Sequence, residues 1–196
     1  MSELEQLPLL SATPDGWAEL VCANFDAFLL DHACCERKAA ASALSLIARH
    51  ADQPLLVETM VTLAREELEH FGQVHRLLLK RGLRLGPDDK DIYVNQLLTA
   101  VRTQPNERLL DRILVSSLIE ARSCERFYLL SRKLDHEPEL QAFYRGLYKS
   151  EAGHFRVFHR LAERIFGVDV TAARWDTLRK FEAEVMLSSP LRATVH

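Results

Sequence analysis

The chain has 196 residues, 47% hydrophobic and 27% charged, with seven Gly, seven Pro and a formal net charge of -3. Its length suits one compact core, its composition excludes a disordered or fibrous chain, and such sparse punctuation favours long helices over a turn-rich sheet. A pI near 6.2 argues against a nucleic-acid binder with a global basic field, although buried ligand carboxylates would lower that sum without facing a partner.

No apolar run approaches the roughly 20 residues of a bilayer span, and the start MSELEQLPLL is acidic where a signal peptide is basic. The expectation is a cytoplasmic protein with no membrane partner. Cys22, Cys34, Cys35 and Cys124 lack the paired C-x-x-C spacing of a zinc site and read as reduced thiols in helix cores.

In chain order, residues 1–14 read as irregular. Asp15 or Thr13 then caps a helix whose apolar positions recur through Phe25, Leu29, Leu30, Ala33 and Ile47 to about His50. Asp52-Gln53-Pro54 opens a second helix that stops at Arg81-Gly82. A polar crossover (83–90) and a short helix from about Asp91 to Arg102 precede Thr103-Gln104-Pro105. A third long helix spans Asn106 to Leu134, and a fourth follows Pro138 to about Phe166-Gly167. A last helix covers about Thr171 to Leu187, with a loose tail over about 188–196. The whole of 1–196 reads as one domain.

The third and fourth helices repeat the first and second. Glu36 lies 18 residues before Pro54 and 31 before Glu67, while Glu120 lies 18 before Pro138 and 31 before Glu151. Residues 67–77 (ELEHFGQVHRL) and 151–161 (EAGHFRVFHRL) share Glu, His, Phe, a second His, Arg and Leu at the same offsets. At about 1.5 Å rise per residue, each antiparallel hairpin returns its two carboxylates to one level. The three-residue offset in E-x-x-H puts Glu67 beside His70, and Glu151 beside His154, on one helix face.

Two such hairpins would place four Glu and two His in one layer, the arrangement of di-iron carboxylate bundles. Carboxylates can bridge two irons, and neutral imidazoles fill remaining positions without adding charge. The predicted class is therefore all-α, a ferritin-like four-helix bundle with additional short helices, holding two Fe ions on Glu36, Glu67, His70, Glu120, Glu151 and His154. One E-x-x-H alone is a weak signal, common on solvated helix faces; the duplicated register carries the reading. Glu66 and Glu69 have Ser150 and Gly153 as counterparts and read as rim residues, and the spacing of Glu125 to Glu151 breaks the repeat. His75 and His159 sit five residues past the ligand histidines and read as packing or hydrogen-bonding groups rather than ligands.

The stretches DHACCERKAAASALSLI, LAREELEHFGQVHRLL, SLIEARSCERF and SEAGHFRVF, in this order and spacing, resemble the bacterial tRNA 2-methylthio-N6-isopentenyladenosine hydroxylase family over nearly the whole chain. That resemblance implies a monooxygenase with O2 as co-substrate and an external electron donor, acting on the anticodon loop of tRNA through its metal ligands, with no further catalytic side chain. Ala39, Ala40 and Ala43 could leave room for a prenyl chain, although close helix packing explains them equally, and Cys124 could border the oxygen pocket. Arg76, Lys80, Arg81, Arg84 and Lys90, with Arg156, Arg160 and Arg164, are candidate phosphate contacts, although a solvated helix face explains them equally. A hydroxylase of a small or membrane-associated apolar substrate and a non-catalytic iron-binding bundle are the competing readings.

Overall fold

The computed structural model describes residues 7–87 and 90–196, which form seven helices: α1 (Trp17–Ala23), α2 (Phe25–Arg49), α3 (Pro54–Lys80), α4 (Ile92–Leu98), α5 (Pro105–Lys133), α6 (Pro138–Phe166) and α7 (Val168–Ser188). Asp88 and Asp89 of the expected crossover, and the first six residues of the irregular start, lie outside the described residues. Two compact units result. One comprises Ala23–Asp89 with residues 193–195; the other comprises the chain up to Cys22, Lys90–Arg192 and His196.

The first unit is the α2–α3 hairpin. On α2 the buried side chains Phe28, Leu29, His32, Ala33, Glu36, Ala40, Ala43 and Leu46 follow three- and four-residue steps, which is one helix face. Leu56, Met60, Leu63, Glu67, His70, Val74 and Leu78 make the matching face of α3. Pro54 fits the first helical turn, where its missing N–H costs nothing. At the other end Gly82 takes φ +72, and the amides of Gly82 and Leu83 close back onto the Leu79 and Leu78 carbonyls at 3.0 and 2.9 Å.

The second unit is the α5–α6 hairpin with α4 and α7 packed against it. Contact with α4, α6 and α7 leaves α5 buried nearly all round, including the polar side chains Asp111, Ser117, Glu120, Arg122, Ser123, Glu125, Arg126 and Ser131. Buried charges of this kind must be paired. Arg122 donates to Glu182 on α7 and to Glu125, and Asp111 accepts from Arg102 and from Arg174 on α7.

Four differences from the sequence-based expectation have physical causes. The first expected helix is broken at Asn24 (φ -129, ψ 38), separating α1 from α2. Periodicity ran across this point because Val21, Phe28 and Leu29 are all fully buried. Helix α7 begins at Val168 rather than Thr171, since Gly167 at φ +89 both ends α6 and admits the next helix directly. The tail is not loose at its end: the Val195 amide donates to Asp31 Oδ2 at 2.7 Å, and the His196 ring stacks on Tyr93 at 5.7 Å and lies 3.1 Å from Asp91. All four cysteines are thiols, but only Cys34 and Cys124 are core residues; Cys22 and Cys35 are half-exposed.

Candidate metal centre

Each hairpin gathers its own triad. In the first unit Glu36 comes from the middle of α2, and Glu67 and His70 from adjacent turns of α3; all three are at most 7% exposed. One ligand atom from each lies within 4.8 Å of the others. His70 presents Nδ1, at 3.7 Å from Glu36 Oε2 and 3.7 Å from Glu67 Oε2. In the second unit Glu120 from α5 and Glu151 and His154 from α6 bring their ligand atoms within the same 4.8 Å, again buried. His154 also turns Nδ1 to its carboxylate, 3.0 Å from Glu151 Oε2. The expected E-x-x-H geometry therefore holds in both halves.

Donor atoms bound to a common ion at about 2.1 Å stand on the order of 3 to 4 Å apart; His70 lies at 3.7 Å from each of its two carboxylates and His154 at 3.0 Å from Glu151, with the remaining donors within 4.8 Å. Two carboxylates and one imidazole suit a first-row divalent metal such as iron. Each triad carries two formal negative charges out of water, a costly arrangement unless a cation joins it. The donor set thus fits a metal ion in each unit.

The neighbouring acids sort by what they touch. Glu66 and Glu69 are exposed. Glu125 is buried, but its carboxylate accepts from the Thr13 amide and hydroxyl and from Arg122 Nη1, so its role is structural. Cys124, one turn after Glu120, donates from Sγ to the Tyr148 carbonyl at 3.2 Å. Ala40 and Ala43 are buried in α2 and Ala39 is half-buried. His75 stacks on Phe71, and His159 packs edge-on against Trp175 with Nε2 3.5 Å from Glu163, as expected of packing groups.

One residue was missed in the sequence. His32, fully buried, holds Glu36 Oε1 at 2.7 Å through Nε2. A signal existed, since His32 precedes Glu36 by one helical turn; the repeat obscured it, because the corresponding position in the second half is Ser116.

Among the basic candidates Arg76, Lys80, Arg81, Arg84, Lys90, Arg160 and Arg164 are exposed and Arg156 is half-buried. Two have local engagements. Arg81 Nε donates to Asp26 Oδ1 at 2.6 Å with its guanidinium 5.4 Å from the Phe25 ring centre, and Arg156 donates to the Ala152 carbonyl with its guanidinium over Phe155. Among the described residues no helix is long and apolar enough to cross a membrane.

Paired helical hairpins that each deliver two carboxylates and an imidazole define an all-α, ferritin-like carboxylate protein, a four-helix bundle with additional short helices. A solved structure agrees: protein 43 with aldehyde deformylating oxygenase activity from Synechococcus is similar at a TM-score of 0.88 and 37% identity, over 96% of this chain and 94% of that one. Within that class the chain belongs to the tRNA-(MS[2]IO[6]A)-hydroxylase (MiaE) family, whose model matches residues 2–196. The tRNA 2-(methylsulfanyl)-N(6)-isopentenyladenosine(37) hydroxylase of Pseudomonas putida is 42% identical over 91% of this chain and 85% of its own length. The Salmonella typhimurium protein of the same name is 38% identical over 68% of this chain and 48% of its own.

Proposed function

We propose that this protein is a di-iron monooxygenase that hydroxylates the isopentenyl group of 2-methylthio-N6-isopentenyladenosine beside the anticodon of tRNA, and that the whole chain is a single domain. Family membership across the whole chain, joined to a buried metal-ligand triad in each hairpin, carries this reading. The named activity of the Pseudomonas relative supplies the substrate.

Glu36, Glu67 and His70 would hold one ion and Glu120, Glu151 and His154 the other. Iron held there would supply reductive activation of O2, with one oxygen atom entering a C–H bond of the prenyl chain and the other leaving as water with two electrons from an external donor and two protons. The protein's own part is positional. Ala40 and Ala43, buried on the ligand-bearing face of α2, would leave room for an apolar chain, and the burial of the ligands would keep water out. Exposed Arg76, Lys80, Arg84 and Arg160 would take phosphates of the anticodon loop, with Arg81 and Arg156 as further contacts. Reaching a buried site requires the modified base to leave the loop stack. Such a substrate places the enzyme in the cytoplasm.

The test is nucleoside mass analysis of tRNA carrying the prenylated adenosine after incubation with reduced, iron-loaded protein and O2. Gain of one oxygen on that nucleoside is expected, and none would defeat the reading. The activity named for the Synechococcus neighbour favours a second substrate class, a small apolar aldehyde. An aliphatic aldehyde turned over in place of tRNA would decide for it.

A further inference from the structure

The two triads share a register, but their first carboxylates have different neighbours. Glu36 Oε1 lies 2.7 Å from Nε2 of His32, one helical turn earlier on α2. An ionised carboxylate only accepts, so beside ionised Glu36 it is the tautomer with its proton on Nε2 that donates. The other oxygen, Oε2, is the one that faces the triad, 3.7 Å from His70 Nδ1. The His32 ring is fully buried, with Phe28 5.8 Å away between ring centres, so it is held by packing as well as by the bond. In the second half the position one turn before Glu120 is Ser116, so the repeat does not supply a counterpart of His32.

We propose that His32 is a positioning residue: by occupying Oε1, it fixes Glu36 as a one-oxygen donor through Oε2 and makes the metal position of the first hairpin unlike that of the second. A carboxylate free on both oxygens can bind an ion with one or both and can swing between the two. One pinned by a buried imidazole offers a single donor atom in a set orientation, as partners behind a ligand commonly ensure. The repeat thus builds two similar triads, and His32 distinguishes them. This rests on the proposed two-iron reading.

The experiment is an anaerobic titration of metal-free protein with ferrous ion, read by chelator competition and by Mössbauer spectra of protein loaded with 57Fe(II). His32→Phe keeps an aromatic ring against Phe28 and removes the donor; His32→Gln keeps an N–H donor and removes the ring. Wild-type protein should bind two ions in two distinguishable ferrous environments. H32F should weaken one of the two by roughly 10- to 100-fold and change one of the two signals, while H32Q should restore wild-type binding to within about threefold. Should H32F fail to fold, His32→Ala is read in the same titration with the same expectation. Two ions bound at wild-type affinity in H32F, or in H32A where that stands in, overturn the role of His32 alone. So does a loss in H32Q as large as in H32F, because the ring's packing would then be responsible. Wild-type protein that binds no iron overturns both this inference and the function it rests on.

Discussion

Arg122 and Glu182 meet with both side chains fully withdrawn from solvent, Nη2 donating to Oε1 at 2.6 Å. The same oxygen accepts from Arg122 Nε at 3.0 Å and from the Tyr93 hydroxyl at 2.7 Å. Arg122 also donates to Glu125 and to the Ser11 carbonyl, so one guanidinium two residues after Glu120 ties α5 to α7 and to the segment before α1, and Glu182 carries the link on to Tyr93 of α4. Burial opposes its charge, yet the Glu182 and Glu125 carboxylates hold its pKa above the ordinary arginine value. Burial and then Glu182 push the Tyr93 hydroxyl well above its usual range, which keeps it a donor.

Removing this arginine strands two carboxylates in the core. Arg122→Met should cost about 3 to 5 kcal/mol in urea unfolding. The double variant R122M/E182M should recover part of that loss, since one stranded charge goes with its partner. A single variant within about 0.5 kcal/mol of wild type would show that the network is not a determinant of stability.

Glu120 and Glu125, five residues apart on α5 and both buried, should separate cleanly by role. Glu120→Ala should lower bound iron while leaving the far-ultraviolet helical signal largely in place. Glu125→Ala should keep the iron and lose stability, because Arg122 and Thr13 lose their acceptor. Unchanged iron stoichiometry in E120A would show that Glu120 is not a ligand.

The candidate ligands were legible in the sequence because duplication leaves a trace that spacing alone can follow: Glu36 to Glu67 predicts Glu120 to Glu151. Three of the long helices, α3, α5 and α6, were legible for a related reason, each beginning at a proline after a turn: Pro54, Pro105 and Pro138. What escaped depended on partners far apart in the chain or on features without periodicity. Arg122 and Glu182 are 60 residues apart, and nothing local marks either as buried. The break at Asn24 lies within an uninterrupted apolar rhythm. His32 was hidden by the comparison that revealed the ligands, because a residue present in one half only drops out of a repeat.

The tRNA contacts should show in salt dependence. Each cation that neutralises a phosphate steepens the fall of log affinity with log salt by roughly 0.7 to 0.9. Arg76→Ala, Lys80→Ala, Arg84→Ala and Arg160→Ala should each make that slope shallower by about this amount in a tRNA-binding titration. Arg81→Ala should change it less, since Arg81 is engaged with Asp26 and Phe25. Four variants with the wild-type slope would place the tRNA surface elsewhere.

Asp111 sets an acid limit on the second unit. Its carboxylate accepts from the Arg102 amide at 2.9 Å, from Arg102 Nε and Nη2 at 2.9 and 2.8 Å, and from Arg174 Nε and Nη2 at 2.7 and 2.9 Å. Burial would raise its pKa, but the bonds from Arg102 and then Arg174 prevail and hold it below the ordinary aspartate value. A carboxyl depressed in the folded state stabilises the protein fully above its unfolded pKa, about 4, and loses that contribution as pH falls through the lower folded value. Asp111→Asn keeps the volume and removes the charge. At pH 7 it should cost about 2 kcal/mol, near the low end for bonds to a charged group because Arg102 is partly exposed. As pH falls below about 4 the wild-type curve should fall toward that of D111N. Urea unfolding across this range measures both, and parallel curves would show that Asp111 is not the group whose protonation limits the fold in acid.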